Sequence, residues 1–131
     1  MKQSLKFLLL ILIVTALLLT SCNAQPKALQ PEISVTDAHD MYQKGEAYFV
    51  DVREQEEWDA LNIPNTTLIP LGQLANRLSE IPKDKTIVVV CRSGNRSKNG
   101  RDILIAAGFA NVTSMAGGIN EWRSQGYPVQ E

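Results

Sequence analysis

The chain has 131 residues, 44% of them hydrophobic, with 13 Lys and Arg against 14 Asp and Glu for a formal net charge of −1. That length holds one domain with a short extension, and the near-neutral balance gives no basic surface for nucleic acid. A single histidine, two cysteines and no Cys-x-x-Cys pair leave no metal-ligand cluster, so no metal site is expected.

Lys2 and Lys6 precede an apolar run from Phe7 to Leu19, broken only by Thr15. A basic start followed by an apolar stretch of about 13 residues has the proportions of a secretory signal and is short for a spanning helix. The tetrad Leu19-Thr20-Ser21-Cys22 resembles the lipobox of bacterial lipoproteins, whose cysteine becomes the lipidated first residue after cleavage. The resemblance implies a signal peptide over residues 1–21 and a lipidated Cys22 with a spacer over 22–32. A domain over 33–131 is then lipid-anchored to the bacterial cell envelope, on the periplasmic or outer face. Each buried methylene of such an anchor contributes about 0.8 kcal/mol, and two or more chains hold stably. The alternative is an ordinary cleaved signal in which Cys22 plays no part. Removing 1–21 takes away two lysines and no acid, which leaves the remainder modestly acidic.

Beyond the polar, proline-stiffened spacer, Ile33-Ser34-Val35 reads as a short strand. Thr36 or Asp37 is placed to cap a helix running to Lys44, with Gly45 as its stop. Tyr48 to Val52 is an apolar strand, and Glu54 to Ala60 a short helix with acids in its first turn. Thr66 to Ile69 gives a third strand, and Leu71, Leu74, Ala75 and Leu78 mark one face of a helix that ends before Pro82. Thr86 to Val90 is apolar on both faces, as expected at the centre of a parallel sheet. A helix from Arg96 to Ala107, a strand from Asn111 to Ser114 and a helix from Gly118 to Gln125 complete the order. The alternation predicts an α/β fold, a mostly parallel sheet of about five strands with helices on both faces.

The most informative segment follows the central strand: Cys91-Arg92-Ser93-Gly94-Asn95-Arg96-Ser97. A loop between a parallel strand and a helix N-terminus gathers free N–H groups and the positive end of the helix dipole, and a thiol there ionises easily. With Cys22 assigned to lipid, Cys91 has no disulfide partner, and its reactivity is the reason for its presence; an inert buried cysteine is the bland alternative. Arg92 and Arg96 suit an oxyanion by planar multidentate hydrogen bonding. Gly94 permits the tight turn, while Ser93 and Ser97 offer hydroxyls, Ser97 also as an N-cap. Either arginine alternatively pairs with Asp51 or another acid. Asp51 is read as structural, Trp58 and Trp122 as core packing, and His39, far upstream of Cys91, as a plain surface residue.

Asp51-Val52-Arg53-Glu54 with Glu57-Trp58, Ile63-Pro64, the Cys91 to Ser97 loop, Gly117-Gly118-Ile119-Asn120-Glu121-Trp122 and Gly126-Tyr127-Pro128-Val129 occur in that order. Together they resemble a single-domain rhodanese, a sulfurtransferase, over nearly all of residues 33–130. The resemblance implies that Cys91 is the catalytic sulfur carrier and that Arg92, Ser93, Gly94, Asn95, Arg96 and Ser97 form the substrate pocket. It implies a sulfur donor such as thiosulfate, a cyanide or thiol acceptor, and no cofactor, since displacement at sulfur needs none. One departure is Leu61-Asn62-Ile63-Pro64, where the family usually has Gly-His-Ile-Pro; Asn62 serves as a turn residue instead.

Two other functions compete. Cysteine phosphatases use Cys-x5-Arg, whereas Cys91 to Arg96 is Cys-x4-Arg, a smaller ring that favours a persulfide sulfur over a phosphate. An envelope persulfide carrier or redox relay, or a rhodanese-like binding module without catalysis, uses the same scaffold.

Overall fold

The computed structural model describes residues 28–131; the expected signal peptide, the expected lipidation site Cys22 and most of the spacer lie outside the described residues. Among the described residues no helix is long and apolar enough to cross a membrane.

Five strands form one parallel sheet: β1 (Glu32–Ile33), β2 (Ala47–Asp51), β3 (Thr67–Leu68), β4 (Thr86–Val90) and β5 (Val112–Met115). Their order is β1-β5-β4-β2-β3, with Thr86–Val90 at the centre as its composition predicts. The connections are α1 (Val35–Lys44), α2 (Gln55–Ala60), α3 (Leu71–Leu74) and α4 (Asn95–Ala106), and α5 (Gly118–Ser124) follows β5.

Side chains alternate across a strand, so β4 feeds two cores. Ile87 and Val89 join Val50, Val52, Leu74 and Leu104 on the side of α3 and α4. Val88 and Val90 join Phe49, Ala38, Ile119 and Trp122 on the side of α1 and α5. Both faces are covered, as expected for an all-parallel sheet.

Four local readings are corrected. Ser34 caps α1 rather than extending the strand: its Oγ accepts the Asp37 N–H at 3.1 Å, so the helix begins one residue on, at Val35. The helix expected through Leu78 stops at Leu74 and gives way to a 3-10 turn over Leu78–Glu80. Gly72 and Asn76 are poor helix formers and Pro82 forbids continuation. Arg77 then holds the tighter path by bonding Gln73 at 2.9 Å and Glu80 at 2.8 Å. His39 is no plain surface residue. It is half-buried, stacked on Tyr127 with ring centres 3.8 Å apart and edge-on to Trp122 at 5.3 Å. Trp122 is core, as read, whereas Trp58 is only half-buried and belongs to neither apolar cluster.

Thr113, on the same face of β5 as Met115, is fully buried, and its Oγ1 has no hydrogen-bond partner among the described residues. An unpaired buried hydroxyl costs about 1–3 kcal/mol. Thr113→Val is therefore expected to raise Tm by several degrees in a calorimetric scan; a lower Tm would mean that the hydroxyl is satisfied.

Candidate active site

β4 ends at Val90, and Cys91 opens the turn into α4. Val90 lies beside Asp51, the end of β2. From there the chain leaves β2 toward β3 and leaves β4 toward β5, in opposite directions across the sheet. Such a switch point opens a crevice at the carboxyl ends of the strands. Cys91 stands at that point, 1% exposed.

Gly94, the N-cap of α4, adopts φ 102°, a left-handed conformation that favours glycine. The turn brings its N–H to 3.1 Å from Cys91 Sγ. Sγ also lies 3.5 Å from Ser97 Oγ, which donates in turn to the Gly94 carbonyl at 2.9 Å. Burial pushes the thiol pKa up, but the Ser97 hydroxyl and the N–H groups of Ser97, Gly94 and Ser93 outweigh it, and the net shift is downward. The Ser97 hydroxyl proton is free to rotate from the carbonyl to a thiolate. Ser97 is thus no N-cap: it sits buried in the first turn, bonded back to the cap residue.

The loop is held from outside by α5. The N–H groups of Ile119 and Asn120 donate to the carbonyls of Cys91 and Arg92 at 2.9 and 3.2 Å. Gly118 makes this approach possible. It has φ 59°, and a Cβ there would overlap the Cys91 carbonyl oxygen and stand 2.5 Å from the Arg92 carbonyl.

The other loop residues diverge. Arg92, Ser93 and Asn95 are exposed, and Arg92 enters none of the ion pairs among the described residues. Arg96 presents Nη1 and Nη2 to the two oxygens of Glu57 on α2, both at 2.7 Å. That hydrogen-bonded pair, acting against partial burial and helped by the Glu54 N–H, holds the Glu57 carboxyl at about 2. Arg96 therefore has an acid partner, Glu57 and not Asp51.

Asp51 is structural, as read. Its carboxylate takes the Arg53 Nε at 2.9 and 3.0 Å and Nη2 at 2.8 Å, with both residues buried. Arg53 extends to the carbonyls of Glu57 and Leu61, tying the end of β2 to the end of α2. Asn62 fills its departed position with two functions. Its side chain donates to the Trp58 carbonyl at 3.1 Å, and its backbone pairs both ways with Gln130, at 2.9 and 2.8 Å.

Sequence reasoning missed Glu57, Arg53 and Gly118 as parts of this site. Only Glu57 left a local signal, the Glu54-x-x-Glu57 spacing of a capping box, in which the Glu54 N–H donates to Glu57 Oε2 at 3.0 Å. Among the described residues no cluster of His, Cys, Asp and Glu could hold a metal ion.

The family described as Rhodanese-like domain matches residues 34–125. A protein named Sulfurtransferase from Allochromatium vinosum is 38% identical over 80 residues, covering 61% of this chain and 75% of that one. Thiosulfate sulfurtransferase GlpE from Pseudomonas syringae is 34% identical over 84 residues, covering 64% and 78%. Some other relatives are longer, and the chain spans 20% to 50% of their length. Among solved structures, a rhodanese-related protein from Thermoplasma volcanium superposes with a TM-score of 0.71 at 31% identity, covering 77% of this chain and 98% of that one. With the ordered motifs, the five-stranded parallel sheet and the cysteine loop at its switch point, these matches show that the chain belongs to the rhodanese-like domain family.

Proposed function

We propose that this protein is a rhodanese-type sulfurtransferase in which Cys91 carries the sulfur. The Cys91 thiolate attacks the outer sulfur of a sulfane-sulfur donor such as thiosulfate. The donor's sulfur–sulfur bond breaks, sulfite leaves with the bonding pair, and a persulfide remains on Cys91. A thiophilic acceptor, cyanide or a thiol, takes the terminal sulfur and returns the thiolate. No net oxidation is needed. The observation that carries this reading is the thiol itself, held by the Gly94 N–H and the Ser97 hydroxyl, which lower its pKa against burial. Arg92, Ser93, Asn95 and Arg96, in the same loop and first turn, are the candidate substrate contacts. The apolar run from Phe7 and the Leu19 to Cys22 tetrad support envelope attachment through a lipid on Cys22.

The test is intact mass of the reduced, desalted protein after exposure to thiosulfate or to the persulfide of a small thiol. The expected result is a gain of one sulfur atom, removed by cyanide or by a thiol and absent in Cys91→Ser. Reversal is essential, because two oxygens weigh nearly the same as one sulfur and a sulfinic acid survives the reductant. A chain that never gains a reversible sulfur is not a sulfurtransferase, and the binding-module reading takes its place.

A further inference from the structure

Three cations lie in the cysteine loop and the first turn and a half of α4: Arg92, Arg96 and Lys98. Two are already engaged by acids from elsewhere in the fold, Arg96 by Glu57 at 2.7 Å and Lys98 by Glu32 at 3.1 Å. The Arg96 pair bridges the switch point, joining the helix that follows β2 to the helix that follows β4. It is end-on and two-pronged, the geometry in which a guanidinium otherwise receives an oxyanion. The cation of Arg96 is favoured by those bonds against partial burial, and then by the charges of Glu57, Cys91 and Glu54. Glu57 is itself held in place, because its Oε2 accepts the Glu54 N–H at 3.0 Å. An incoming dianion therefore meets a fork that is filled and a charge that is offset.

Resting on the sulfurtransferase reading, we propose that Glu57 sets donor choice. By occupying the guanidinium fork of Arg96, it disfavours dianionic donors such as thiosulfate and favours the persulfides of small thiols. Thiosulfate must displace the Glu57 carboxylate or bind beside it. A hydropersulfide R–S–SH carries no oxyanion and has no such conflict. The Cys91 thiolate attacks its terminal sulfur, the R–S–SH sulfur–sulfur bond breaks, Cys91–S–SH forms and the thiolate R–S⁻ departs. Atoms and charge balance without an oxidant. Glu57 acts through Arg96 and is a positioning residue for specificity.

The experiment measures kcat/KM for thiosulfate and for the persulfide of 2-mercaptoethanol, whose organic part is uncharged, in the wild type and in Glu57→Gln. Glutamine keeps an acceptor for the Glu54 N–H but loses the charge. The ratio of thiosulfate to persulfide kcat/KM is expected to rise roughly fivefold, the size of a half-exposed two-pronged ion pair. The rise should come through a lower KM for thiosulfate. It should vanish in the Arg96→Ala background, where no fork remains to be released. Glu57→Ala, checked by circular dichroism, serves as the second variant if glutamine perturbs the helix. An unchanged or lower ratio, or a rise that persists without Arg96, overturns the assignment of Glu57 alone. Failure of both donors to load wild-type Cys91 overturns the sulfurtransferase reading and this one with it.

Discussion

Gly118→Ala is expected to disable sulfur loading at Cys91 and to destabilise the domain by about 3 kcal/mol or more, combining a left-handed backbone penalty with backbone overlap. The neighbours of the added methyl are the carbonyls of Cys91 and Arg92, and neither can swing aside as a side chain would. Relief requires α5 to withdraw, which breaks the Ile119 and Asn120 bonds that hold the loop. The Gly94 N–H then loses its aim at Sγ. Gly126→Ala is the matched control, because Gly126 also has positive φ, 75°, but nothing lies within 4 Å of its Cβ position. It should cost about 1 kcal/mol, the backbone penalty alone, and leave loading intact. Thermal melts and the mass assay on both variants decide the matter. Equal losses would show that the approach of α5 to the loop is unimportant.

The second large effect is on stability. Arg53→Leu strands the Asp51 carboxylate, 1% exposed, without its guanidinium, and also releases the carbonyls of Glu57 and Leu61. Removing one partner of a buried pair costs about 3–5 kcal/mol. For a domain of this size that is a fall in Tm of roughly 15–30 °C. Asp51→Leu combined with Arg53→Leu should recover part of the loss, since no charge is then left buried. A Tm for Arg53→Leu within a few degrees of the wild type would show that water or another cation reaches Asp51.

The sheet was legible from the chain because β4 advertises its place: a β-branched run apolar on both faces suits a central parallel strand. The loop was legible as well, since a thiol, glycine and hydroxyls between strand and helix have a local meaning. Interactions between distant segments were not. Arg96 and Glu57 are 39 residues apart, and either could have served a solvated surface. The roles of Asp51 and Arg53 overlap one another in sequence, yet the deciding acceptor, the Leu61 carbonyl, lies eight residues on. Two serines change place. Ser34, read as strand, caps α1, and Ser97, read as a cap, lies in the first turn of α4, because only the direction of the hydroxyl decides each role. His39 was hidden differently, because its stacking partner Tyr127 comes from the far end of the chain.

The sheet is bounded by its two shortest members, β1 and β3, each only two residues long. A long open edge is a template on which another molecule's strand can grow, and proteins shorten such edges to prevent it. Here the long strands, β2 and β4, are paired on both sides. Many copies can therefore crowd side by side without zipping into shared sheets.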